Sequence, residues 1–427
     1  MNVQYPVKDL GAALNLLNPN AEPEIFESNL YVNLDKARGD DFLNMIFFQL
    51  GVDEQRKIFN PKTSYVKILL TGHRGSGKSI ELQRILYNLK HLYLPVYINI
   101  EKQLLKLSAV EPEEIYQLLV IELMQSLSDY GISFSEKNFR KITDYWFTET
   151  TVNDKQSTSA KIEIGAEAEV GINMFILKLR TFLKTLNTAQ SEQTNEVRRK
   201  IKLNIGSIIQ NLNSELSILE PQLKEKGYNG FLFVLDGTEK LDYQLAVRIL
   251  IQDAHIFNEI NGNFILASPV LGLYDIHAGQ AFFNQQILPM VKLNDGNIDD
   301  FKSIVTKRVD EATFFPSGTL NCIAKKSGGS IRILLELAYN YLLYSAYKKD
   351  SNDALKSTLY EMGLSYYRKL DTSHKEILKS ENKEYNFGDE KVKEMLFGLV
   401  LLAQNGKAII NPLVQPFLDN SENYLCD

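Results

Sequence analysis

Cysteine is nearly absent from this chain of 427 residues: only Cys322 and Cys426 occur, far apart and outside any Cys-x-x-Cys or Cys/His spacing. That excludes a cysteine-based metal framework and fits a reducing compartment. Histidine is also scarce, and the five present are scattered. No Ser/His/Asp or paired-metal arrangement can be drawn from their spacing, so a nuclease, protease or deaminase centre is not expected, and any such chemistry belongs to another chain. No apolar run reaches 18 residues, and the N-terminal "MNVQYPVKDLGAAL" lacks a basic region followed by an apolar core. A cytoplasmic protein without a membrane partner is the expectation. A basic excess is missing too: the net charge is −6, which argues against a chain built around nucleic acid.

What is present is ordinary for a globular chain, 44% apolar and 23% charged residues, with length enough for two or three domains. In "DDFLNMIFFQLGV" Phe42, Ile46 and Leu50 recur at helical spacing, and the segment 1–60 is expected to pack beside a core beginning near residue 61. There "YVKILLTG" reads as a buried strand, "GHRGSGKS" as a glycine-rich loop, and "SIELQRILYNLKHL" as a helix. "LPVYINIE" at 94–101 is a second strand and 111–129 a second helix. This alternation predicts a parallel sheet. Residues 148–226 interrupt it. Positions 162, 164, 166, 168, 170 and 172 alternate like a hairpin, and Ile201, Ile205, Ile208, Leu212, Leu216, Leu219 and Leu223 step like one long helix. This insertion is either an arm packed on its own domain or a surface for association. "GFLFVLDGTEKLD" and "GNFILASPV" resume the sheet, the core ends near 290, and helices fill 291–350 and most of 351–427.

The loop carries the chemistry. From Gly72 to Ser79 the spacing is Gly-x-x-x-x-Gly-Lys-Ser. Gly72, Gly75 and Gly77 allow close backbone approach to phosphates, with His73, Arg74, Ser76 and Ile80 completing the cradle around them. Lys78 is placed to reach the β- and γ-phosphates and Ser79 to bind Mg²⁺, at the N-terminus of the following helix. Asp236, ending the "FLFVL" run, is the expected second metal-site group. The carboxylate that would polarise an attacking water is left between Glu239 and Asp242, because Gly237 stands directly after Asp236.

On these motifs the chain resembles the AAA+ ATPases, in the branch that includes the Orc/Cdc6-like initiators and the STAND NTPases. "GHRGSGKS" stands as Walker A, "FLFVLDGTEKLD" as Walker B, "FILASPV" as the sensor 1 strand and "SGGSIRILLEL" as the sensor 2 helix of the lid. The resemblance implies an α/β fold: a parallel-sheet P-loop NTPase core, a helical lid and a C-terminal winged-helix-like domain over 351–427. It implies ATP and Mg²⁺ as ligands, Ser268 as the sensor 1 residue feeling the γ-phosphate, and Arg332 as the lid arginine. Arg308 and Arg38 fall where relatives place nucleotide contacts; a surface arginine is at least as good a reading of Arg308, and the bland reading leads for Arg38. Similar loops with an insertion before Walker B resemble those of uncharacterised bacterial ATPases, some of which accompany antiphage effectors. The family pattern Asp-Glu-Leu-Asp is here Asp-Gly-Thr-Glu, which favours a switch governed by occupancy over a motor. Over 355–427, Lys and Arg number 9 against 11 Asp and Glu, so an effector or adaptor protein, or a second copy of the chain, is a better partner than DNA. The alternatives are an Orc/Cdc6-like DNA-binding loader and a nucleotide-bound scaffold without turnover.

Overall fold

The computed structural model describes residues 4–20, 25–26, 28–38, 42–59, 64–146, 171–189, 191–270, 278–282, 284–348, 350–380, 384–404, 407–421 and 424–426. Five strands form one parallel sheet: β1 (Lys67–Gly72), β2 (Leu94–Asn99), β3 (Phe231–Asp236), β4 (Asn263–Pro269) and β5 (Asn284–Leu288), in the order β2-β3-β4-β1-β5. Every residue of the three inner strands β1, β3 and β4 is buried, which is why they read as unbroken apolar runs rather than alternating ones. Successive side chains still point to opposite faces. Leu69, Phe233, Leu235, Phe264 and Leu266 enter one core cluster, and Ile68, Leu70, Leu232, Val234 and Ile265 the other. Register sets the chemistry: Thr71 pairs with Ser268 and Leu235 with Leu266. The ends of β1, β3 and β4 therefore leave the sheet together, at the carboxyl edge where open α/β sheets bind ligands.

The second face holds α1 (Lys78–Leu89) together with Phe42, Ile46 and Phe47 from the N-terminal region. That region divides its packing. Residues 42–52 lie on the sheet, whereas Val7, Ala13, Leu17 and Leu34 join the core of the lid, and Val7 pairs with Val309 in an isolated parallel bridge.

The first face holds α2 (Pro112–Asp129) and the insertion. The insertion opens with α3 (Ile172–Thr188), and the expected single long helix is two, α4 (Glu192–Leu203) and α5 (Ile205–Glu225). The apolar stripe runs continuously across the join, but Asn204 leaves helical geometry at φ −110 and ψ 12 and ends α4; periodicity persists while the axis does not. A capping box between Ser191 and Thr194 starts α4. The alternating positions 162–170 lie outside the described residues, and Ile172, the last of that series, begins α3. Six of the seven stripe residues, all but Ile205, are buried in the same core as α2, so the stripe packs on its own domain.

The lid comprises α6 (Ile298–Thr306), α7 (Thr319–Lys326) and α8 (Ile331–Tyr347). After it comes a C-terminal unit of α9 (Ser351–Tyr367), α10 (Thr372–Lys379), α11 (Glu390–Phe397) and an antiparallel pair, β6 (Leu401–Gln404) with β7 (Lys407–Ile410). Lid and C-terminal unit share one core, in which Leu334 and Tyr341 join Leu359, Leu396 and Leu413. Cys322 of α7 and Cys426 form a disulfide with Cα atoms 5.5 Å apart, unlike the free thiols that a reducing compartment implies. Among the described residues no helix is long and apolar enough to cross a membrane.

A buried ion pair helps fasten the insertion to the core. Glu114 of α2 is fully buried and accepts from Arg198 of α4 through Nη2 at 2.5 Å and Nε at 3.1 Å, and from Asn187 of α3 at 3.0 Å. Burial pushes the Glu114 carboxyl up, and these two partners pull it back. Removing Arg198 strands a charge in an apolar setting. Arg198→Ala is expected to cost about 3–5 kcal/mol in urea unfolding, and a loss below about 1 kcal/mol would show that the pair is not what holds the insertion.

Candidate nucleotide-binding site

The loop after β1 is shaped by what its glycines permit. Gly75 and Gly77 sit at φ +81 and +95, a region that other residues enter only with strain. Space is the second constraint. A Cβ on Gly75 would come within 2.7 Å of the Arg332 Cβ, and one on Gly77 within 2.9 Å of Ile331 Cδ1. The glycines therefore let the start of α8 close directly onto the loop, where the Arg332 N–H donates to the Gly75 carbonyl at 3.3 Å.

Lys78 opens α1 and is almost wholly buried; its Nζ donates to the carbonyls of Gly72 at 2.7 Å and His73 at 2.9 Å. Burial lowers its pKa, while the carboxylates of Glu239 and Asp236 favour its charged form. Asp236 ends β3 with no exposure. Its Oδ2 accepts from the Tyr97 hydroxyl at 2.7 Å and its Oδ1 from the Gly237 N–H at 2.8 Å. Burial, then the neighbouring Glu239, pushes Asp236 up to about 6; hydrogen bonds from Tyr97, Ser79 and Gly237 act the other way. Lys78, Ser79 and Asp236 are thus gathered as the sequence predicts.

The ambiguity over the next acid resolves locally. Gly237 adopts φ +91 and starts a 3₁₀ turn, Thr238–Lys240, anchored by the Thr238 hydroxyl donating to the Ala267 carbonyl at 2.5 Å. The turn carries Glu239 into the cleft that Lys78 and Ser79 also line. Glu239 is 7% exposed, and its Oε2 is buried without a hydrogen-bond partner. Asp242 points elsewhere: it is exposed and caps the following helical turn by accepting from the Gln244 N–H at 3.0 Å. Glu239 is the acid at the site.

The remaining expected residues differ in placement. Ser268, at the end of β4 beside Thr71, is buried and donates to the Pro269 carbonyl at 3.1 Å. Arg332 lines the cleft, with its guanidinium 3.5 Å from Asn20 Oδ1. Arg74 is exposed on the rim, and its charge and that of Arg332 act on Glu336 of the lid. Ile80 lines the cleft, while Ser76 and His73 are buried. Arg308 is not a surface arginine: it is 6% exposed, lines the cleft, donates to the Ile304 carbonyl and is pushed down to about 10 by burial. Arg38 lies beneath the loop, 5% exposed, and donates to Glu81 at 2.7 Å and to the Ser76 carbonyl at 2.6 Å. Sequence reasoning passed over Tyr97. Its signal was a hydroxyl near the end of an otherwise apolar strand. A larger hollow beside β7, lined by Tyr385, Phe387 and Ile409, contains no loop residue.

The donor set fits a magnesium-bound nucleoside phosphate. Glycine positions leave backbone open to phosphate, Lys78 supplies the charge, and Ser79 with Asp236 suits a cation that keeps several waters and takes further oxygens from phosphate. Among the described residues no group of three or more His, Cys, Asp or Glu side chains is arranged to hold a metal by itself. The Gly237 turn is testable through stability. A Cβ there would have its nearest neighbour, the Glu101 nitrogen, at 3.4 Å, so space is adequate and the cost lies in the backbone. Gly237→Ala is expected to destabilise the protein by about 1–2 kcal/mol in thermal unfolding; an unchanged midpoint would contradict the assigned conformation.

No known family profile matches the chain, and no curated protein does. Sixteen chains of solved structures resemble it, two of which illustrate how low the similarity is. The crystal structure of Cdc6p from Pyrobaculum aerophilum is 12% identical over 95% of this chain and 97% of that one, with a TM-score of 0.38. The RuvB Holliday junction branch migration motor of Thermotoga maritima is 11% identical over 95% and 98%, with a TM-score of 0.36. The fold, read from its own strand order and loop, is a five-stranded parallel α/β sheet with a P-loop between β1 and α1 and the start of α8 closed onto that loop.

Proposed function

We propose that this chain is an ATP-dependent switch that binds Mg·ATP between core and lid, hydrolyses it, and through the nucleotide state controls a partner protein. The observation that carries the hydrolytic part is the Glu239 carboxylate, buried with one oxygen unpartnered, in the same cleft as Lys78 and Ser79. Backbone N–H groups of the loop and the N-terminus of α1 bind the phosphates, and Lys78 turns from the loop carbonyls to neutralise charge developing on the transferred group. Ser79 holds Mg²⁺, Asp236 orients its water shell, and Tyr97 holds Asp236 in place. Bound Mg²⁺ supplies electrophilic assistance at the phosphate oxygens. Glu239 orients the attacking water and accepts its proton. Arg332, reaching the cleft from the first turn of α8, ties lid position to what the cleft holds.

A protein partner is supported by the near-balanced charge of the C-terminal unit, where DNA binding would call for a basic face. An effector of antiphage defence is the form of partner that the loop's resemblance favours, with self-association as the other protein-based route.

Glu239→Gln is expected to keep ATP affinity within about twofold while lowering single-turnover hydrolysis by about 10²–10⁴. Unchanged hydrolysis would remove Glu239 from the mechanism. Tyr97→Phe deletes one hydrogen bond to the metal-site carboxylate and is expected to raise the Mg²⁺ concentration for half-maximal nucleotide binding by about tenfold, leaving metal-free nucleotide binding unaltered. Equal losses with and without Mg²⁺ would show that Tyr97 serves folding alone.

A further inference from the structure

The second residue of the loop reaches into the C-terminal unit. His73 is 2% exposed, and its Nε2 accepts the backbone N–H of Ala403, in β6, at 2.6 Å. The neighbouring Gln404 donates through Nε2 to the Gly328 carbonyl in the lid turn before α8, at 3.0 Å. Gly328 is at φ +61, where a Cβ would lie 2.5 Å from Leu402 Cδ1, so the hairpin packs flush on that turn. From the turn the chain enters α8, whose Arg332 N–H returns to the loop at Gly75. Loop, lid turn and hairpin thus form a closed ring of contacts.

Two features make this ring responsive to the nucleotide. The carbonyl of His73 accepts from Lys78 Nζ at 2.9 Å, so one residue is held by the phosphate-binding lysine through its backbone and by the hairpin through its side chain. The imidazole also has an unmet need. Because Nε2 accepts, the ring proton sits on Nδ1, and that atom is buried with no partner. Burial, with the Lys78 charge behind it, holds the ring neutral by pushing its pKa down to about 3. A buried donor left unpaired costs about 1–3 kcal/mol, which biases His73 toward any arrangement that satisfies it.

We propose that His73 is the coupling residue between the phosphate loop and the C-terminal hairpin: phosphates that draw Lys78 away from the His73 carbonyl let the ring move, and the Ala403 hydrogen bond breaks. The hairpin is then released from the lid turn, and nucleotide occupancy is passed to the C-terminal unit without a change in the sheet. This rests on nucleotide binding at the loop, as proposed above, and adds how that site is regulated.

Hydrogen–deuterium exchange on the full chain tests it, alongside titration with a fluorescent ATP analogue in Mg²⁺. The expected result is that ATP analogue and Mg²⁺ raise exchange of the Ala403 amide by about tenfold, the equivalent of one lost hydrogen bond. His73→Phe, which keeps the ring but removes the acceptor, is expected to show that fast exchange without nucleotide. Should His73→Phe fail to fold, Gln404→Leu, which touches no loop residue, takes its place: it loosens the hairpin but leaves the further rise on nucleotide intact. If the analogue fails to bind, the binding reading fails. If it binds while Ala403 exchange stays constant, the contact is a permanent staple and the coupling is overturned.

Discussion

The site depends on one buried ion pair beneath the phosphate loop. Arg38 and Glu81 have side chains only 2% and 3% exposed and lie 2.7 Å apart. Such a pair is tolerable in the interior where further hydrogen bonds meet most of its remaining capacity, and of the Arg38 nitrogens Nε is left without a partner. Here Arg38 also bonds the Ser76 carbonyl, and Glu81 accepts from Tyr31 and Arg84, the latter in turn bound to Asp35. The network joins the N-terminal segment, the loop and the first turns of α1 into one unit. Arg38 thereby fixes the Ser76 carbonyl of the loop from below.

The second constraint is the left-handed residue after Asp236. With a glutamate in that position the water-polarising carboxylate would follow the metal-site acid directly. Gly237 instead turns the chain, and Glu239 arrives two residues later by way of a 3₁₀ turn anchored on β4. The sequence Asp-Gly-Thr-Glu thus keeps the carboxylate and changes its route. Gly237 was expected to favour occupancy over turnover; with Glu239 lining the cleft, the proposed switch also has a carboxylate to support hydrolysis.

Much of the architecture was legible because it depends on burial. Strands β1, β3 and β4 are covered on both faces, and only continuous apolar runs satisfy that requirement. The insertion was legible in its stripe and not in its shape, since Asn204 breaks a helix without disturbing the periodicity on either side. The pairing of Cys322 with Cys426 was invisible, because 104 residues separate two positions that only the shared core of lid and C-terminal unit brings together.

The sequence by itself determined the loop, its lysine and serine, and the acid ending β3, since spacing along one chain suffices where a strand, a turn and a helix are consecutive. That Glu239 and not Asp242 enters the cleft, that Arg38 and Arg308 are interior rather than surface arginines, that Tyr97 bonds the Asp236 carboxylate, and that His73 meets the hairpin were decided by tertiary structure. Arg38 with Glu81, Tyr97 with Asp236 and His73 with Ala403 are contacts between segments tens to hundreds of residues apart, and Glu239 reaches the cleft through the Gly237 turn anchored on β4; strand register and the close approach of α8 that Gly75 and Gly77 allow are not written in local spacing.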